Sequence, residues 1–301
     1  MHFQAAQNAA TQEAQRRFLA SLKFDQANLR RNDITDAHKE TFKWIFADST
    51  EKPYDSFATW LQAEDGIYWI SGKAGSGKST LMKFILEHSD TIKLLSHWSA
   101  PQEPLLLWFF FWNSGTPLQR NLKGLLCSLL RQLCLKHQHT IDLLTKDSKF
   151  LDKDTISDWS ISELSTAFSQ CLQGVSQPVL ILIDGLDEIE GLNSLAGLIN
   201  FVNGLLRLKR VKLCVSGRRE AILEAELALS KQLRLQDLTA SDIRYYVMDF
   251  LRAIANASTM EKMDLEKITE IICTKTEGVF LVCTPSIMRN MVANIYLLCG
   301  G

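Results

Sequence analysis

The sequence predicts a three-layer α/β fold: a five-stranded parallel sheet flanked by helices, with a helical segment before it (1–54) and a small helical domain after it (238–301). Three observations predict this. Between residues 55 and 237, apolar strand-like runs alternate with amphipathic helical runs, the pattern of parallel strands joined by covering helices. Leu105–Trp112 is apolar at every position, as a strand buried on both faces must be. A glycine-rich octet at 72–79 lies between a strand pattern and a helix pattern, where open α/β sheets bind ligands.

At the start, the Ala- and Gln-rich residues 1–20 can form a helix. NDITDAHKETFKWIF predicts a stronger one, with Ile34, Ala37, Thr41, Phe42 and Ile45 on one face and Asn32 or Asp33 as its cap. Lys52-Pro53-Tyr54 ends it, and Asp55 is expected to cap a short helix carrying Phe57, Trp60 and Leu61. Ile67–Ser71 reads as the first strand and Lys78 to about His88 as the helix after it. Leu105–Trp112 is the second strand. Leu122, Leu125, Leu126, Leu129, Leu130 and Leu133 mark a helix by their spacing of three and four. Residues 145–158 are polar and read as loop. Ser160-x-x-Glu163 makes a capping box before a helix with Leu164, Phe168 and Leu172 on one stripe. Pro178 introduces the strand Val179–Ile183, and a helix over 194–208 leads to the strand Val211–Val215. A helix over 219–228 precedes a short fifth strand near Leu233–Gln236, and Thr239-x-x-Asp242 is a second capping box opening a helix through Leu251.

Composition narrows the function. The chain has 301 residues, 33 basic and 34 acidic, and a formal net charge of −1, without the basic excess of a dedicated nucleic-acid binder. Arg207, Lys209, Arg210 and Lys212 form its nearest approach to a basic patch and read as a solvated helix end. Seven cysteines lie at 127, 134, 171, 214, 273, 283 and 299 with no C-x-x-C pair, which predicts buried free thiols in a reducing compartment. His137 and His139, two apart, make a poor metal pair on a helix. The N-terminus lacks the apolar core of a signal peptide, and the longest apolar run is far short of a membrane span. A cytoplasmic location is the expectation.

Gly72-Lys73-Ala74-Gly75-Ser76-Gly77-Lys78-Ser79 fits the phosphate-binding P-loop pattern G-x-x-x-x-G-K-[ST]. Three glycines let backbone amides turn inward around phosphates. The following helix directs its positive end at the same anions. Lys78 supplies a mobile charge for the β- and γ-phosphates, the Ser79 hydroxyl is a Mg2+ ligand, and Thr80 lines the α-phosphate side. Asp184, at the carboxyl end of Val179-Leu-Ile-Leu-Ile, is the second Mg2+ residue, acting through the ion's water shell. The reading is a P-loop NTPase fold binding a Mg-nucleoside triphosphate. The base lies outside these motifs, so ATP and GTP both remain.

Many hydrolysing P-loop ATPases place Glu directly after the metal Asp; here that position is Gly185, and the acids come later, at Asp187 and Glu188. This DGLDE arrangement resembles the NACHT class of signal-transducing (STAND) NTPases. The segments SLKFDQANLRRNDITDAHKETFKWIF, IYWISGKAGSGKSTLMKFI, FFFWNSGTPLQRNLKGLLCSLLRQL and LRLQDLTASDIRYYVMDFL are similar to the large fungal family of NACHT proteins carrying a nephrocystin-like N-terminal domain, over about residues 20–280. The resemblance makes Asp187 the first choice for orienting the attacking water and Glu188 the second, with a helix cap as the other role for either. It matches Arg218, in Val215-Ser-Gly-Arg218-Arg219, to a sensor of the γ-phosphate, and it places the 211–215 strand between the Gly72 and Asp184 strands.

By the same resemblance the chain is a regulatory switch, ADP- or GDP-bound at rest, ATP- or GTP-bound and self-associating or pairing with related NACHT proteins when triggered. Such proteins act in fungal incompatibility or innate-immunity-like responses. The family's winged-helix region, sensor repeats and effector domain do not occur in this sequence. After Gly278-Val-Phe-Leu281 it runs VCTPSIMRNMVANIYLLCGG, where Pro285 opposes a continuous helix, so a truncated or divergent end is expected. Two other readings stand beside the switch. One is a P-loop kinase or ATPase, for which no Arg-rich lid segment is evident. The other is a truncated nucleotide-binding module that acts by pairing with longer relatives.

Overall fold

A computed structural model of the chain describes residues 2–47, 54–64, 66–145, 150, 153–255, 262–283 and 287–291. Pro53, Pro285 and Cys299, named above, lie outside them. Five strands, β1 (Ile67–Ser71), β2 (Leu105–Phe110), β3 (Val179–Asp184), β4 (Val211–Gly217) and β5 (Lys231–Arg234), form one sheet in the order β2-β3-β4-β1-β5. The 211–215 strand therefore takes the place expected for it, between the other two motif strands. The chain divides into two compact units: Met1–Asp33, Asp65–Ile67 and Leu95–Val215 in the first; Ile34–Glu64, Tyr68–Leu94 and Ser216–Gly301 in the second.

In the first unit, β2, β3 and β4 pair in parallel, with Leu105 opposite Val179, Phe110 opposite Asp184, and Val179 opposite Val211. β3 and β4 are buried at every position. β2 is an edge strand, and an edge leaves backbone groups without a strand partner. Side chains of α6 (Leu122–Lys136) take them up. The Gln132 amide accepts from Trp108 N at 3.1 Å and donates to Trp108 O at 2.8 Å, and Lys136 Nζ donates to Leu106 O at 3.1 Å. The leucine stripe of α6 is buried as its spacing predicts. α1 (His2–Ser21) is held at its end by Phe18, edge-on to Trp159, and by Trp159 Nε1 donating to Ser21 Oγ at 3.0 Å.

The capping box at Ser160 forms as expected at the start of α8 (Ile161–Gly174): Glu163 N donates to Ser160 Oγ and Ser160 N to Glu163 Oε2. Lys153 Nζ adds a bond to Glu163 Oε1 at 2.7 Å. The Lys153 bond first, then those from Ser160, pull the Glu163 carboxyl from its usual 4.5 down to about 2. A carboxyl with a depressed folded pKa adds stability above its unfolded value, and loses it as pH falls toward the folded one. Glu163→Gln is therefore expected to lower the thermal midpoint at pH 7 and to converge with wild type between pH 4.5 and about 2. A difference that stays constant across that window would show that charge plays no part.

The second unit departs from expectation in its first residues. NDITDAHKETFKWIF does not form one helix. α2 (Leu29–Asp33) stops at its start, and only a 3-10 turn, Lys43–Phe46, forms near its end. The reason is tertiary. Phe42 takes a left-handed φ of 64°, and Phe42 N and Trp44 Nε1 both donate to Asp242 Oδ2, at 3.1 and 2.7 Å. Lys83 Nζ meanwhile donates to Ile34 O at 2.8 Å. Ile34, Thr41, Phe42 and Ile45 are buried all the same, so the apolar pattern marked burial rather than a helix. The cap of α3 (Phe57–Gln62) is Ser56, not Asp55; the Asp55 carboxylate instead accepts from Gln232 N of β5 at 2.9 Å.

β1 and β5 pair in parallel, Tyr68 opposite Lys231 and Ser71 opposite Arg234, two residues earlier than the sequence suggested for β5. α11 (Ala240–Ala255) and α12 (Lys262–Thr276) share a core of Ile243, Val247, Leu251, Leu265, Ile268 and Ile272 with Cys283. The six described cysteines are free thiols, five buried and Cys273 partly so. Lys212, expected at a solvated helix end, is fully buried on β4 with Nζ 5.1 Å from the Trp98 ring centroid. Among the described residues, no helix is long and apolar enough to cross a membrane.

Candidate functional site

The octet 72–79 connects β1 to α4 (Lys78–Glu87), and octet and helix lie in the second unit. The left-handed glycines are Gly75 (φ 71°) and Gly77 (φ 94°). Gly72 is tightly enclosed: a Cβ there would lie 2.7 Å from Ser76 Oγ and displace that side chain. Gly77 is the N-cap of α4 and makes no side-chain cap bond to the first-turn amides, the groups that would meet an anion. Lys78 Nζ reaches back across the loop, donating to Gly72 O at 2.7 Å and Lys73 O at 2.9 Å. Ser76 is fully buried; Ser79 and Thr80 are half-buried in the first turn of α4, and Lys73 and Ala74 are exposed. The loop thus joins two left-handed glycines, a helix start and an ammonium that donates to two of the loop's backbone carbonyls.

Sequence reasoning missed what surrounds this loop. Lys73 N donates to Gln236 Oε1 at 3.3 Å, Lys73 Nζ pairs with Glu277 at 3.0 Å, and Leu281 N donates to Gly75 O at 3.1 Å. Phe42 and Phe280 close on Gly77, their rings 5.7 Å apart. These residues follow the loop by some 160 to 200 positions or precede it by 30, and no local pattern links them to it.

Asp184 belongs to the first unit, at the end of β3, 1% exposed. Gly185 then turns left-handed (φ 76°), and Leu186–Glu188 form a 3-10 turn. Asp187 and Glu188 are half-buried. Glu188 Oε2 accepts from Asn113 N, in the turn after β2, at 2.9 Å. Burial raises the Glu188 pKa, with smaller upward pushes from Asp184 and Asp187, while the Asn113 N–H and Arg30 oppose the rise. The same turn is tied again by Arg120 to Glu190 at 3.0 Å. Arg218 follows β4 directly and is exposed. Arg219 is built into the second unit: its guanidinium lies 4.8 Å over Trp69 and bonds Ser71 Oγ, Glu224 and Gln232.

The donor chemistry fits Mg2+. A hydroxyl at Ser79 and a carboxylate at Asp184 are hard oxygen ligands, and among the described residues no group of three His, Cys, Asp or Glu forms a metal cage. Each by itself is a ligand type that Mg2+ takes, an ion that keeps several waters and accepts substrate phosphate oxygens.

No curated protein matches the chain. Among solved structures it is similar to a DNA replication initiation factor (TM-score 0.36, 12% identity, 80% of this chain and 57% of that one). It is also similar to C. elegans PCH-2 (TM-score 0.36, 12% identity, 71% of this chain and 52% of that one). The chain thus spans little more than half the length of either. The family model described as nephrocystin 3, N-terminal, matches residues 40–218, which carry the octet, Asp184 and Arg218 and make up more than half of the sequence. The chain belongs to the nephrocystin 3 N-terminal family.

Proposed function

We propose that this chain binds Mg-ATP or Mg-GTP through its 72–79 loop and hydrolyses it slowly as a NACHT-type switch, self-associating or pairing with relatives in its triphosphate state. The observation that carries the reading is the loop itself: left-handed Gly75 and Gly77, a helix start with no side-chain cap, and a lysine ammonium on two loop carbonyls. The backbone of Gly72–Ser79 cradles the phosphates, Lys78 moves from Gly72 O and Lys73 O to the β- and γ-phosphate oxygens, and Thr80 lines the α-phosphate. Ser79 and Asp184 hold Mg2+, which when bound neutralises charge on the phosphate oxygens. Arg218 is assigned to the γ-phosphate. A fluorescence titration with ATP and GTP analogues tests this: micromolar, Mg2+-dependent binding supports it, and a folded chain that binds neither overturns it.

For hydrolysis, Asp187 is assigned to orient water, as the NACHT resemblance has it, with Glu188, whose Oε2 accepts from Asn113 N, as the second choice. Asp187→Asn is expected to slow turnover by about 100-fold while changing nucleotide affinity by less than about twofold. If Asp187→Asn retains turnover and Glu188→Gln loses it, the two acids exchange roles.

A further inference from the structure

We propose that Gln236 and Glu277–Leu281 brace the phosphate loop from outside, so that nucleotide binding and the seating of the α11–α12 helical pair form one coupled equilibrium. The proposal rests on the nucleotide reading above and lies wholly within the second unit. Glu277 (φ 44°) and Gly278 (φ 78°) both take left-handed backbone, which turns the chain as it leaves α12. A Cβ on Gly278 would lie 2.1 Å from Gln236 O, so this crossing admits only glycine. Thr239 Oγ1 donates to Gly278 O at 3.1 Å and fixes the crossing.

The segment then meets the loop at three points. Leu281 N donates to Gly75 O, and a Cβ on Gly75 would come within 2.6 Å of Leu281 Cβ. Phe280 lies against Gly77. Glu277 pairs with Lys73, but both side chains are at least half exposed, so this pair contributes little. The backbone bond and the apolar contact carry the coupling. Phe280 also packs against the Ile243, Val247, Leu265 and Ile268 core, of which Cys283 is a buried member. A loop closed on phosphates therefore holds Leu281 and Phe280, and through them the end of the helical core. By linkage, whatever loosens that core weakens nucleotide binding by the same factor. These are positioning residues; none is placed against the reacting atoms.

Cys283 supplies the readout. It is fully buried, and burial pushes its thiol up to about 12, so it reacts only when the segment lifts. The full chain is treated with N-ethylmaleimide with and without Mg-ATP, modification is mapped residue by residue, and binding is measured in parallel by titration. Mg-ATP is expected to slow Cys283 modification at least about fivefold, and Cys127 and Cys214 of the other unit by clearly less. Leu281→Pro removes the N–H donor at an exposed side chain, and is expected to shrink that protection and raise the Kd about fivefold. Binding without protection of Cys283, or equal protection of Cys283 and Cys214, overturns the brace and leaves the nucleotide reading standing. Absence of binding overturns that reading and the brace with it.

Discussion

Lys78→Ala is expected to weaken Mg-nucleotide binding at least about 100-fold, because charge-assisted bonds to phosphate contribute about 1.5–3 kcal/mol each and Lys78 would make more than one. The fold should survive. Without nucleotide the ammonium donates to Gly72 O and Lys73 O, and the carbonyl of exposed Lys73 can turn to water. The circular dichroism spectrum and the thermal midpoint of the free protein should therefore match wild type. A ligand at 100 times its Kd stabilises the folded state by about 2.7 kcal/mol. Wild type should show that rise in midpoint with Mg-ATP, and Lys78→Ala should not. Retained affinity in a folded Lys78→Ala chain would remove the phosphate-loop assignment.

Gly124→Ala is expected to destabilise the first unit by about 3 kcal/mol, against the sign of helix propensity. Ala in a helix interior is ordinarily about 1 kcal/mol better than Gly. Here a Cβ would lie 1.6 Å from Leu118 O, a backbone atom of the 3-10 turn Pro117–Gln119 pressed on the start of α6. That turn has little freedom to retreat. Trp112 N donates to Gln119 O, Thr116 N to Gln119 Oε1, and Gln119 Nε2 to Gln26 O. Overpacking against backbone costs about 1–3 kcal/mol, and the loss of these bonds puts the expectation at the upper end. Gly204→Ala in α9 (Leu192–Leu206) is the control: a Cβ there meets nothing within 4 Å, so stability should rise by about 0.5–1 kcal/mol. Denaturation midpoints of both variants check the pair, and an unchanged midpoint for Gly124→Ala would show that the turn yields.

The features legible in the sequence are those encoded within one turn or one strand. β3 is read from five consecutive apolar residues, and α6 from leucines at spacings of three and four. The octet is read because glycines, lysine and serine must stand at fixed offsets to meet phosphates. The capping box at Ser160 is read because both its partners lie within four residues. The helix predicted over Asn32–Phe46 fails for the opposite reason. Its shape is set by Asp242, 200 residues away from Phe42, whose buried carboxylate claims Phe42 N and Trp44 Nε1. Once those N–H donors lie in the interior, a distant acceptor decides the backbone.

Three choices at the candidate site were made the same way. Glu188 is tied to Asn113 N, 75 residues before it, which no spacing rule anticipates. Arg219 is spent on Trp69, Ser71 and Gln232, whereas Arg218, its neighbour, is exposed. Leu281 reaches Gly75 only because Gly278 can cross Gln236. The sequence by itself determined the sheet-forming strands, the helices that follow them, and the residue types of the phosphate loop and of Asp184, because periodicity and motif offsets are local. Tertiary structure alone decided which polar groups pair across the chain and which contacts hold the loop, because burial leaves each donor and acceptor only the partners that folding brings beside it.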